Sequence, residues 1–266
     1  MMRNRWVHFT VAIFASSLLV PFALCAQTGA ASKSGSASQS SAKSQAPDLS
    51  GKWMIAPGGA SLDPADPSGT HPDELPMTPW AKQRFDAAKP PFGAKGTFAQ
   101  NDPEQIYCDP PGMTRLYQYP WQFSIVQTAA DVYILFEYTH AWRLITMNQL
   151  HAKDFDPTWL GDSVGKYEGD TLVIDTTGFN DKSWLDNVGH PHSDQLHTVE
   201  RFRRAAQDTL QLQLTIEDPK AYTKPFTAVR NFKLSSFPLG ETMCSISEDD
   251  SFQKNIMDKT VAAPFK

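Results

Sequence analysis

The sequence predicts an all-β fold, an antiparallel β-barrel or sandwich with a proline-rich N-terminal wrap and one or two short helices. Three observations predict it. From Gln122 to Leu234 the chain runs through short apolar segments rich in β-branched and aromatic residues, separated by turn-forming residues. One of them, Thr209–Glu217, alternates strictly, with Leu210, Leu212, Leu214 and Ile216 on one face and Gln211, Gln213, Thr215 and Glu217 on the other. That is a strand with one dry and one wet side. Finally, twelve of the twenty prolines fall between Gly51 and Trp121, where a missing donor and a fixed φ exclude long helices and central strands.

Taken in order, residues 1–26 read as an export signal, with Arg3 and Arg5 ahead of an apolar run, Val11–Leu24, and a small-residue exit at Ala26. The run is shorter than the roughly 20 residues a bilayer span needs, so no integral span is expected after cleavage, and the protein is expected to be periplasmic or secreted. Residues 27–47, mostly Ser, Ala and Gln, hold nothing able to bury enough surface to offset chain entropy, and read as a disordered linker. Residues 48–266 are expected to form a single barrel domain. Within its wrap, Thr78 can cap a helix with Pro79 in the first turn, running through WAKQRFDAAK to the stop at Pro90-Pro91. The expected strands are QFSIVQT, DVYILFEY, AWRLITM, TLVIDTTGF, LHTVERFRR, TLQLQLTIE, FTAVRNFKL and ETMCSISE, and SEDDSFQKNIMDK reads as a terminal helix.

The formal charge of −5 argues against a protein built to grip nucleic-acid phosphates, and residues 1–47 carry four bases and no acids, so the remainder is more acidic still. Loss of Cys25 with the leader leaves Cys108 and Cys244. In an oxidising compartment they can form a disulfide closing more than 130 residues, constraining the unfolded chain by roughly 4–5 kcal/mol; the alternative is two buried thiols. No Gly-x-Ser-x-Gly elbow, phosphate loop, dinucleotide fingerprint or Cys-x-x-Cys pair is present.

Two resemblances follow from particular residues. DLSGKW, with Gly51 and Trp53, resembles the Gly-x-Trp start of lipocalin-type (calycin) barrels, in which the tryptophan plugs the floor and the glycine lets the chain pass close by. The signatures DPTWLGDSVGKYEGDTLVIDTTGF, WLDNVGHPHSD and ERFRR…DPKAYTKP, between Thr139 and Pro225, resemble a group of secreted bacterial proteins of unknown function. That resemblance implies membership and brings no activity with it.

Candidate chemistry sits in two stretches. In WLDNVGHPHSD, Pro191 biases the chain toward extended geometry. His190, His192 and Asp194 then project to one side and suit a divalent cation such as Zn²⁺, against the alternative of a hydrogen-bonded loop. In THAWRLITMNQLHAKDFDPTWLGDS, His151 can act as a general base oriented by Asp156. Arg143, between Trp142 and Leu144, faces either the lumen or water; in a lumen it needs a carboxylate, for which Glu137 is the candidate, and it can clamp an anionic ligand. Trp142, Trp159, Tyr167 and Trp184 supply rings for a ligand wall or for the core. Together these predict a small organic ligand in an aromatic pocket lined by His, Asp and Arg, with lyase, isomerase or cyclase chemistry assisted by acid–base groups or a metal. The alternative is a binding or envelope-associated protein without catalysis. The catalytic reading requires the distant histidines to converge in one chamber.

Overall fold

The computed structural model describes residues 46–56, 75–88 and 102–244, all within the second of the two units into which the chain divides, residues 43–266. The export signal, most of the linker and the terminal helix lie outside the described residues.

Nine strands close into one barrel in sequence order: β1 (Gly51–Ile55), β2 (Phe123–Gln127), β3 (Asp131–Phe136), β4 (Trp142–Met147), β5 (Asp162–Glu168), β6 (Thr171–Thr177), β7 (His197–Ala206), β8 (Thr209–Glu217) and β9 (Phe226–Leu234). The ring closes through β9 and β1, with Trp53 opposite Leu234 and Ile55 opposite Phe232, so the arrangement is a barrel and not a sandwich. Eight of the nine contacts are antiparallel and β4–β5 is parallel. A closed ring with an odd number of strands cannot alternate direction all the way round, so at least one neighbouring pair must run parallel. Here that pair follows the 148–161 crossover, which replaces the tight hairpin an antiparallel neighbour would take.

Inward residues follow the two-residue period. Leu210, Leu212, Leu214 and Ile216 of β8 are all buried, as the alternation predicts. Trp53 is fully buried, its Nε1 donating to the Leu49 carbonyl at 3.0 Å and its ring lying 5.2 Å from the Arg204 guanidinium. At Gly51 (φ +144°), a Cβ would stand 2.8 Å from Leu234 and 3.5 Å from the Trp53 ring, which is why glycine opens this strand.

Among the described residues there are three short helices, α1 (Pro79–Ala88), α2 (Pro103–Tyr107) and α3 (Met113–Leu116), where one or two were expected. Thr78 Oγ1 accepts from the Ala81 amide at 3.3 Å, in line with the predicted cap. The proline-rich segment does more than wrap the barrel, because α3 delivers Tyr117 into the lumen. The Tyr117 ring meets Phe123, Phe136, Phe202 and Phe232 at centroid distances of 5.5, 5.4, 5.7 and 6.3 Å. Those four phenylalanines come from β2, β3, β7 and β9, so the tyrosine stands near the barrel axis.

Strand β5 was not among the expected strands, because DSVGKYE lacks an apolar alternation; only Ser163 and Gly165 are buried on it. The expected strand at ETMCSISE reduces to a single bridge between Thr242 and Tyr138, its last residues lying outside the described set.

Candidate ligand-binding site

The lumen beside Tyr117 holds an ion pair. Arg143 points inward from β4 and meets Glu200 of β7 through two bonds, Nη1–Oε1 at 2.9 Å and Nη2–Oε2 at 2.7 Å. Nη1 also donates to the Tyr117 hydroxyl (2.8 Å), and Nη2 to Ser163 (2.9 Å) and Thr176 (3.1 Å). Burial opposes the guanidinium charge, yet the Glu200 carboxylate and the Tyr117 hydroxyl outweigh it and raise the arginine pKa. The lumen alternative for Arg143 is the one realised, but its partner is Glu200. Glu137 instead ties down the 238–240 turn, its Oε1 accepting from the Gly240 amide (3.0 Å) and its Oε2 from the Gln122 amide (3.1 Å). Glu200 opens the charged stretch shared with Arg201, Arg203 and Arg204; its burial follows from the inward phase it shares with Thr198 and Phe202.

The parallel seam opens the wall. β4 and β5 pair only at Ile145–Ser163, Thr146–Val164 and Met147–Gly165, so the first half of β4 has no neighbour on that side. A cleft of about 720 Å³ occupies the gap. Trp142 and Leu144 of β4 form one wall, Trp159 and Leu160 of the crossover another, and the Cys108–Cys244 disulfide with Met243 a third; Arg143 and Ser163 reach its floor. Trp142 is 59% exposed, an unusual state for an indole on a barrel strand. Among the described residues four non-glycines have positive φ, and three line this cleft: Cys108 (54°), Thr139 (55°) and His140 (51°). Each such residue costs about 1–3 kcal/mol and tends to mark functional sites. Trp142, Trp159 and Arg143 are therefore brought together. Tyr167 is elsewhere, its hydroxyl accepting from Gln127 at 2.7 Å, and Trp184 packs in the 181–193 loop beside Arg115.

His151 lies on the outer face of the barrel. Its Nδ1 is 2.7 Å from Asp162 and its Nε2 is 2.9 Å from Asp175, which in turn meets His197 at 3.0 Å. The carboxylates facing it are thus Asp162 and Asp175, while Asp156 is exposed. Partial burial lowers the imidazole pKa, but the bonds to Asp175 and Asp162 outweigh this and raise it. Asp162 also lines the cleft, so the carboxylate connects the two.

His190, His192 and Asp194 do not converge as the spacing predicted. His190 Nδ1 bonds Asp186 at 2.6 Å and its ring stacks on Phe85; His192 Nε2 faces Ser183; Asp194 turns outward toward Lys220 at 3.7 Å. The cause is the loop's own chemistry: Asp186 and Asp218, unweighed in the sequence, accept the backbone amides of His190 and Ser193 and fold the segment inward. Among the described residues no group of three His, Cys, Asp or Glu is placed to hold a metal ion.

No protein-family model matches the chain, so the resemblance of its long signatures to secreted bacterial proteins finds no matching family, and no curated protein matches it. Among solved structures the chain is similar to a REP1-NXSQ fatty acid transporter, at 12% identity over 72% of this chain and 98% of that one with a TM-score of 0.33. It is similar also to a variant of the fluorescent protein UnaG, at 13% identity over 71% and 97% with a TM-score of 0.31. Nothing about this chain's ligand follows from either likeness.

Proposed function

We propose that the protein binds a small, uncharged, ring-containing organic molecule in the wall cleft between β4 and the 148–161 crossover, outside the lumen. The observation that supports this reading is an exposed tryptophan, Trp142, facing a 720 Å³ cleft beside a lumen already filled by Tyr117. Two indoles offer flat apolar walls. The two charged groups of the lining are compensated, Arg143 by Glu200 and Asp162 by His151, so the site favours a neutral ligand with hydrogen-bonding groups over a carboxylate. The Cys108–Cys244 disulfide in its wall accords with a periplasmic or secreted protein.

Catalysis is a second reading, favoured by Asp162. It borders the cleft and is backed by His151 and Asp175, the arrangement a carboxylate needs to exchange a proton with a bound ligand. Lyase or isomerase chemistry would then run through Asp162, with His151 behind it.

Titration with N-phenyl-1-naphthylamine, a neutral aromatic dye, tests the binding reading. Wild type and Phe237→Ala, an exposed residue that does not line the cleft, should bind alike, and Trp142→Ala should bind at least tenfold more weakly. Equal affinity in Trp142→Ala would overturn it.

A further inference from the structure

The geometry points to a second site, separate from the wall cleft: a serine–histidine pair, Ser183 and His192, built to transfer the acyl group of a small carboxylic ester. Both residues line a cleft of about 340 Å³ bordered by α1 and the 181–192 loop. Ser183 Oγ lies 2.9 Å from His192 Nε2, and His192 Nδ1 lies 3.1 Å from the Ser193 carbonyl. A carbonyl only accepts, so Nδ1 carries the ring proton, Nε2 presents its lone pair, and the Ser183 hydroxyl donates to it. That is the tautomer a general base requires.

The support behind the base is ordered as well. Asp218, buried, accepts from the Ser193 amide at 2.5 Å and from its hydroxyl at 2.8 Å, fixing the residue whose carbonyl holds the imidazole. Nucleophile, base and orienting group therefore form a chain of the kind nucleophilic catalysis uses. Gly112 (φ +83°) packs directly on the serine, where a Cβ would fall 2.4 Å from Ser183 Oγ. His192 is held neutral, burial lowering its pKa against the opposing influence of the Ser193 carbonyl, Asp218 and Asp181. Arg84 and Lys182 line the same cleft and supply positive charge for a developing oxyanion, while Ala87, Pro103 and Trp184 offer an apolar surface for the acyl chain.

The chemistry balances without a further reagent. Ser183 Oγ bonds the ester carbonyl carbon as its proton passes to His192 Nε2. The carbon–alkoxy bond then breaks, and the leaving alcohol takes that proton. Water, deprotonated by Nε2, attacks the acyl-serine; the carboxylic acid leaves and Ser183 regains its proton.

Reaction of the folded protein with a small fluorophosphonate, read by peptide mass mapping, tests the assignment. Wild type should be labelled at Ser183, and His192→Gln should react at least 100-fold more slowly. Labelling of wild type should also rise with pH through a midpoint below the usual histidine value of 6.5, since Nε2 must be unprotonated. An unlabelled Ser183, or a His192→Gln rate equal to wild type, would overturn it. If the variant fails to fold, the wild-type profile decides: a rate that rises only through a midpoint above 6.5 would equally refute the pair. Dye binding at Trp142 is a separate readout and does not depend on the outcome.

Discussion

Replacing Glu200 by Leu removes the carboxylate that faces Arg143 inside the barrel. The guanidinium would keep three neutral partners, Tyr117, Ser163 and Thr176, and its Nε already lacks an acceptor, so the charge would stand buried without compensation. Breaking a buried pair from one side costs about 3–5 kcal/mol, because the remaining ion stays desolvated. Both side chains are at most 1% exposed, so solvent offers no relief and the upper half of that range is expected. For a domain of this size each kcal/mol lowers the melting temperature by about 2–4 °C, giving a fall of about 8–20 °C. Arg143→Met combined with Glu200→Leu should recover most of the loss, since two apolar side chains replace a pair whose desolvation cost nearly equals its attraction. Urea and thermal denaturation, followed by tryptophan fluorescence, measure both. A loss below 1 kcal/mol in Glu200→Leu, or a double variant no more stable than the single one, would refute the buried pair.

Further outcomes follow from other parts of the molecule. Cys108→Ser with Cys244→Ser should lose roughly 4–5 kcal/mol by opening a loop of 136 residues, and should weaken dye binding because the bridge is a wall of the cleft; in wild type, both thiols should resist alkylation until reduced. The His151–Asp175 pair should stabilise the fold in a bounded pH window. His151 has a raised pKa, so its contribution is complete below 6.5 and fades as pH rises through the folded value; Asp175 has a lowered one, so its contribution is present above 3.8 and is lost as pH falls through its folded value. The melting-temperature gap between wild type and His151→Gln should therefore be widest near pH 5 and shrink above pH 7, and a gap that grows with pH would contradict the pairing. Tyr117→Ala should lose about 3–5 kcal/mol as an aromatic core truncation, whereas an exposed or mobile ring would lose less than 1.

Much of the fold is written in local pattern. The alternation of β8, the Gly51–Trp53 start and the Thr78 cap each follow from single-segment chemistry, and each is found in place. What escaped the sequence was non-local. The parallel seam follows from the strand count, which required recognising β5 within DSVGKYE. Glu200 stands among Arg201, Arg203 and Arg204 in sequence, and only the phase of β7 shows it turned inward to Arg143. Tyr117 lies in a proline-rich stretch that gave no sign of entering the lumen. Of the expected site residues, Trp142, Trp159 and Arg143 meet in one cleft because they flank the seam. His151, His190 and His192 are held by carboxylates and a serine that sit in other strands or earlier in the loop, so the histidines do not share one chamber.

The central claim, that ligand occupies the wall cleft and not the lumen, is open to one direct measurement. Protein labelled with 5-fluorotryptophan, its resonances assigned by single Trp→Phe variants, is titrated with the neutral dye and followed by ¹⁹F NMR. The Trp142 and Trp159 resonances should move together and saturate, while that of Trp53, fully buried in the barrel core, stays fixed. Movement of Trp53 with Trp142 and Trp159 unchanged would place the ligand inside the barrel and contradict the account.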